Sequence, residues 1–201
     1  MARHPKLRVL GIDPAAAGPT GYGVVETDGR SCRVVHFGAL RGARRMAHPE
    51  RLEQIHALLA RLMREFAPDA VAIEGIFAAL NVKTALKLAE VRGVVMLAAA
   101  QKKVPVHSYS PREVKASVAG YGHASKEQMQ QMVRALLHLR EIPEPADAAD
   151  ALAVALCHIQ TAEARARIAA ATGVAAFHAP AKPRRGAGGN GARAARIPSL
   201  R

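Results

Sequence analysis

Leu7-Arg8-Val9-Leu10-Gly11-Ile12-Asp13-Pro14 is the stretch from which the fold reads outward. It is short, aliphatic and closed by Asp-Pro, which reads as a buried strand ending at a turn, because proline gives a ladder no N–H. A turn of Ala and Gly from Ala15 to Pro19 follows, then a second strand through Tyr22-Gly23-Val24-Val25-Glu26. Asp28-Gly29 signals a hairpin into a third strand, Cys32 to Leu40. Ala70-Val71-Ala72-Ile73-Glu74 repeats the pattern of the first stretch, an apolar strand with an acid at its C-terminal end.

Helical spacing fills the intervals. From Glu50 to Phe66, Leu52, Ile55, Leu58, Leu59, Leu62, Met63 and Phe66 recur at three- and four-residue steps. Asn81 is placed to cap a long helix through about Lys102, with Ala85, Leu86, Ala89, Met96 and Leu97 expected on its inner face. Val104 to Tyr109 reads as another strand, and Ser110-Pro111 as the N-cap and first turn of a short helix carrying Lys115. Ser125-Lys126-Glu127-Gln128 is a capping box opening a helix to about Leu139, and Pro145-Ala146 begins a last helix reaching roughly Ala171. The order βββαβαβααα implies an α/β fold, a mixed sheet with helices on both faces.

The 201 residues suit one domain, and half of them are hydrophobic, which provides a core and excludes wholesale disorder. A net charge of +13 points to a polyanionic partner, nucleic acid before an anionic membrane surface. Part of that charge lies outside the body: His178 to Arg201 holds six basic residues and no acid among Gly, Ala and Pro. We expect a folded domain over 1–175 and a disordered basic tail over 176–201. Cys32 and Cys157 lack CxxC partners and read as buried, reduced thiols. With no membrane-length apolar run and no secretory leader, the expected location is cytoplasmic.

In so basic a chain the placement of acids carries information. Asp13 and Glu74 end two strands and would meet at one sheet edge if those strands are neighbours. Asp147 and Asp150 share one face in the first turn of the last helix. Four such carboxylates would repel one another unless cations lay between them. Oxygen-only donors of this kind suit Mg²⁺ or Mn²⁺ and the metal-assisted hydrolysis of phosphodiesters. A plain reading stands beside this one, since Asp13 before Pro14 also suits a turn and Asp147 also suits a helix cap.

Gly11-Ile12-Asp13-Pro14 with Thr20-Gly21-Tyr22-Gly23-Val24, then Ala72-Ile73-Glu74, then Ala85 through Gly93, resembles the RuvC family of bacterial crossover junction endodeoxyribonucleases. Arg112-Glu113-Val114-Lys115, Ala119-Gly120-Tyr121-Gly122 and Asp147-Ala148-Ala149-Asp150-Ala151-Leu152-Ala153 match in the same order, so the likeness spans roughly residues 7–160. The resemblance implies an RNase H-like fold with a mixed five-stranded sheet. It also implies a homodimer, and paired, symmetric, Mg²⁺-dependent cleavage of four-way (Holliday) DNA junctions in recombination and repair. The ions would number two per site, with Mn²⁺ as a substitute, and Asp13, Glu74, Asp147 and Asp150 would be the catalytic, metal-binding tetrad. Phe77 matches an aromatic that stacks on an unpaired base, while Lys115 and Lys126 match lysines near the DNA backbone. The branch-migration proteins RuvA and RuvB are the partners the family implies.

This chain departs from the family pattern in two places. Ala15, Ala16 and Ala17 replace the usual Gly and polar residue in a loop one residue longer, and Gly75 stands where a larger polar residue is common. Competing readings are weaker. An actin-like or sugar-kinase ATPase needs two lobes and an adenosine-site glycine motif. A binding module with lost catalysis would lack an acid, and a related RNA nuclease fits the motifs less well. His123 reads as a solvent-exposed loop residue, and Ser110 and Ser125 as helix caps.

Overall fold

The sheet is built from both ends of the chain's alternation between strand and helix. In the computed structural model, which describes residues 6–43, 46–76 and 81–172, five strands and five helices follow one another in the expected order. They are β1 (Leu7–Asp13), β2 (Thr20–Thr27), β3 (Cys32–Leu40), α1 (His48–Phe66), β4 (Ala70–Glu74), α2 (Val82–Gln101), β5 (Val106–Tyr109), α3 (Pro111–Ala119), α4 (Lys126–Leu136) and α5 (Ala146–Thr172). Phe77 and the tail expected over 176–201 lie outside the described residues.

The strand order is β3-β2-β1-β4-β5. The meander β1-β2-β3 is antiparallel, whereas β1, β4 and β5 run parallel, linked by crossovers through α1 and α2. Register places Gly11 opposite Ala72 and Ile12 opposite Ile73, so Asp13 and Glu74 leave adjacent strands at the same end. Alternation then assigns the faces. Leu10, Ile12, Val24, Val71 and Ile73 pack beneath α1 and α2. Val9, Val25 and Ala72 pack beneath α3, α4 and α5. Asp13 and Glu74 keep step with Val9 and Ala72 and therefore belong to the α5 face.

Two glycines let α5 approach that face closely. A Cβ on Gly11 would collide with the Ala151 carbonyl and with Ala155, and one on Gly21 would collide with the Asp147 carbonyl. Backbone thus lies against backbone where the last helix crosses β1 and β2, and its first turn is delivered to the end of β1. The middle of α5, from Ala148 to His158, is buried except at Asp150.

The structure corrects four expectations. On α2 the buried residues are Val91, Val95, Ala98 and Ala99, while Leu86, Met96 and Leu97 are exposed, Ala89 faces solvent and Ala85 is half-buried. The helix is apolar on nearly every side, so spacing could not choose the face. β5 begins at Val106 because Pro105 offers no N–H and Val104 instead donates to the Ala99 carbonyl. α4 ends at Leu136, ahead of a left-handed His138 at φ 53°. Cys157 is buried as expected but Cys32 is only partly so, and both thiols are free. No helix among the described residues is long and apolar enough to cross a membrane.

Candidate active site

Three separate elements deliver the acids to one place. β1 contributes Asp13, β4 contributes Glu74, and the first turn of α5 contributes Asp147 and Asp150. Asp13 feels the charges of Glu74, Asp150 and Asp147 together, which shows that the four carboxylates are neighbours. Burial, with Glu74 next in weight, pushes the Asp13 carboxyl up to about 8. Glu74 is also raised, chiefly by burial and further by Asp150, while the hydrogen bond from Asp13 and the Lys115 ammonium draw it back. Asp13 and Glu74 therefore share a proton, with Asp13 donating.

Two lysines flank the acids. Glu74, Lys115, Lys126 and Asp150 line one cleft of about 240 Å³, completed by Pro111, Val114, Met129, Ala153 and Val154. Lys126 donates from Nζ to Asp150 Oδ2 at 3.2 Å, and that bond leads the upward shift of its own pKa. The capping boxes explain how the lysines arrive there. Ser110 accepts from the Glu113 N–H and opens α3, which carries Lys115 on its second turn. Ser125 accepts from the Gln128 N–H and sets Lys126 at the first position of α4. A larger depression of about 600 Å³, lined by Phe37, Arg134 and residues 139–144, contains none of the four acids.

All six sequence-expected residues that the structure describes thus come together, and Phe77 lies outside the described residues. Among the described residues no three His, Cys, Asp or Glu side chains are already spread around a single metal position. The donor set still fits a hard divalent cation: carboxylate oxygens only, adjacent and open to a cleft.

Two arginines were missed by sequence reasoning. Arg51 on α1 donates from Nη2 to the Ala15 carbonyl at 2.8 Å and to that of Gly18, so α1 ties down the Ala-rich loop after Asp13. His123 is exposed in the α3–α4 loop, its ring 5.6 Å from that of Tyr121. Arg92 on α2 donates to the Glu74 backbone carbonyl and, at 3.0 Å, to Ser108 Oγ. A cation in the otherwise aliphatic run Val91 to Ala100 was the one available signal for it.

The model of the RuvC family, described as crossover junction endodeoxyribonuclease RuvC, matches residues 9–158. The chain belongs to this family. A RuvC from Chloroflexus aurantiacus is 49% identical over 156 residues, covering 78% of this chain and 94% of the relative. A RuvC from Alkaliphilus metalliredigens is 47% identical over 150 residues, or 75% and 91% of the two chains. The Thermus thermophilus RuvC structure superimposes with a TM-score of 0.73 at 38% identity, covering 79% of this chain and 96% of that one. The fold is accordingly the RNase H-like fold of RuvC. The RuvC activity is that of an endonuclease resolving Holliday junctions, and RuvC nucleases are metal-dependent.

Proposed function

We propose that Asp13, Glu74, Asp147 and Asp150 form the metal-binding catalytic centre with which this chain cuts four-way DNA junctions. The observation that carries the reading is the convergence of four carboxylates from three elements beside two lysines. Two Mg²⁺ ions, or Mn²⁺ in their place, would activate a water for in-line attack and stabilise the departing 3′ oxygen. The water oxygen joins phosphorus as the P–O3′ bond breaks, leaving a 5′-phosphate and a 3′-hydroxyl. With the ions bound, Asp13 would give up its proton to solvent, leaving four carboxylates to act as oxygen donors. Lys115 and Lys126, on the cleft walls, hold the DNA backbone over them. No side-chain nucleophile is needed for attack by water, and Ser110 and Ser125 serve as helix caps. A RuvC from Thermus thermophilus has been solved in complex with Holliday junction substrate, with a TM-score of 0.75 to this chain.

The same reading includes a homodimer, which supplies two centres for paired, symmetric nicks. Its support is the outer face of α2, where Val82, Leu86, Met96 and Leu97 are 76%, 61%, 44% and 55% exposed. With Ala89 and Gly93 they follow steps of four and three residues, one helix face. A stripe of this kind is what a second copy would cover. Phe77 as a base-stacking residue, RuvA and RuvB as partners, a cytoplasmic location and a nuclease domain over 1–175 with a basic tail over 176–201 complete the proposal. A synthetic four-way junction and a linear duplex, each with Mg²⁺ or with EDTA, test it. The expected result is paired, symmetric nicks on the junction in Mg²⁺ alone; equal cutting of duplex, or cutting in EDTA, would overturn it.

A further inference from the structure

We infer that Arg92 is a positioning residue that holds the Glu74 end of β4 in register for metal binding, an inference that rests on the reading of the four acids above. Glu74 is the last residue of β4, so strand pairing ends at its carbonyl. The ladder to β5 does hold the next N–H, since Gly75 donates to the Tyr109 carbonyl at 2.7 Å. The Glu74 carbonyl is instead taken by one arm of the Arg92 guanidinium, and the other arm reaches Ser108 Oγ on β5 at 3.0 Å. Ser108 pairs with Ile73 in the sheet, so a single planar fork spans both strands beside the acid.

Three features argue that the fork sets geometry and is more than a surface contact. Arg92 is half-buried, and burial holds its pKa below the usual arginine value. Its two hydrogen-bond partners, a carbonyl and a hydroxyl, are neutral, so the bonds use the direction of the N–H groups more than charge pairing. Its neighbours Val91 and Val95 are fully buried against the sheet, which fixes the helix from which the fork extends. Gly75 allows little slack on the other side, because a Cβ there would stand 3.3 Å from the Tyr109 carbonyl. The position of Glu74 is thereby tied to α2, the helix whose outer face carries the exposed stripe.

The test uses Arg92→Met, which keeps the stem, Arg92→Lys, which keeps charge without the fork, and Ser108→Ala, which removes one acceptor. Mn²⁺ binding to the DNA-free protein is followed by titration calorimetry, junction affinity in EDTA by gel shift, and cleavage under single turnover. Arg92→Met is expected to weaken both Mn²⁺ binding and the cleavage rate by about 10–100-fold, the usual effect of losing a group that orients a metal ligand. Arg92→Lys and Ser108→Ala should shift both in the same direction by less, and junction affinity in EDTA should stay at the wild-type level. Loss of junction affinity with Mn²⁺ binding intact would make Arg92 a DNA contact instead. Wild-type Mn²⁺ binding and cleavage in all three variants, with only a lower melting temperature, would reduce it to a structural staple. Failure of the underlying reading shows separately, as unchanged Mn²⁺ binding in Glu74→Gln.

Discussion

Burial and three neighbouring carboxylates hold Asp13 up at about 8, so the metal-free protein carries it protonated through neutral pH. The unfolded chain releases that proton near 3.8. Between these values the folded state binds the extra proton. The stabilisation from this group is full below pH 3.8 and is lost as pH rises toward 8, by up to about 1.4 kcal/mol per unit. Thermal melts in EDTA from pH 4 to 8 should show this fall, and Asp13→Asn should flatten it and raise the melting temperature at pH 8. Glu26 behaves in the opposite sense. Bonds from Arg8 at 2.6 Å and Arg33 at 2.6 Å hold its carboxyl down at about 2, against 4.5 when unfolded. Its contribution is full above 4.5 and lost as pH falls toward 2. Acid titration followed by circular dichroism should therefore show a transition in that window that Glu26→Gln weakens. The raised pKa of Asp13 was not legible in the sequence, because it depends on burial and on the approach of an acid 61 residues away. The acids themselves were legible, since each closes an apolar strand or opens an apolar helix.

At the level of elements, the approach of α5 to β1 and β2 decides whether the acids meet. Gly21→Ala places a methyl group against the Asp147 carbonyl and must push the start of α5 outward. The expected cost is about 1–3 kcal/mol in urea unfolding, with cleavage falling further than stability because Asp147 and Asp150 move with the helix. Ser125→Ala removes the cap that places Lys126 and should cost about 1 kcal/mol. Strands and caps were legible because their signals are local: Asp-Pro, Asp-Gly and Ser-x-x-Gln each fix a boundary within a few residues. The inward face of α2 was not. With Ala, Val, Leu and Met around most of its circumference, only the sheet it packs on distinguishes Val91 and Val95 from Leu86 and Met96. Arg92 and Arg51 escaped notice for a related reason, since what they bind is backbone carbonyl, which every residue offers.

For the whole molecule, the +13 charge would gather DNA and the proposed acidic centre would cut it. The acids sit at one sheet end under α5, with Lys115 and Lys126 at the cleft, and the exposed apolar stripe lies on the opposite layer. Pairing two copies through α2 would leave both clefts free. Leu86→Asp combined with Leu97→Asp should shift the protein from dimer to monomer in sedimentation velocity and replace paired nicks by single ones. The most direct measurement is single-turnover cleavage of a saturated four-way junction by Glu74→Gln in Mg²⁺, alongside junction binding in EDTA. Cleavage should be abolished while binding is retained; cleavage at the wild-type rate would contradict the assignment of the four acids as the catalytic centre.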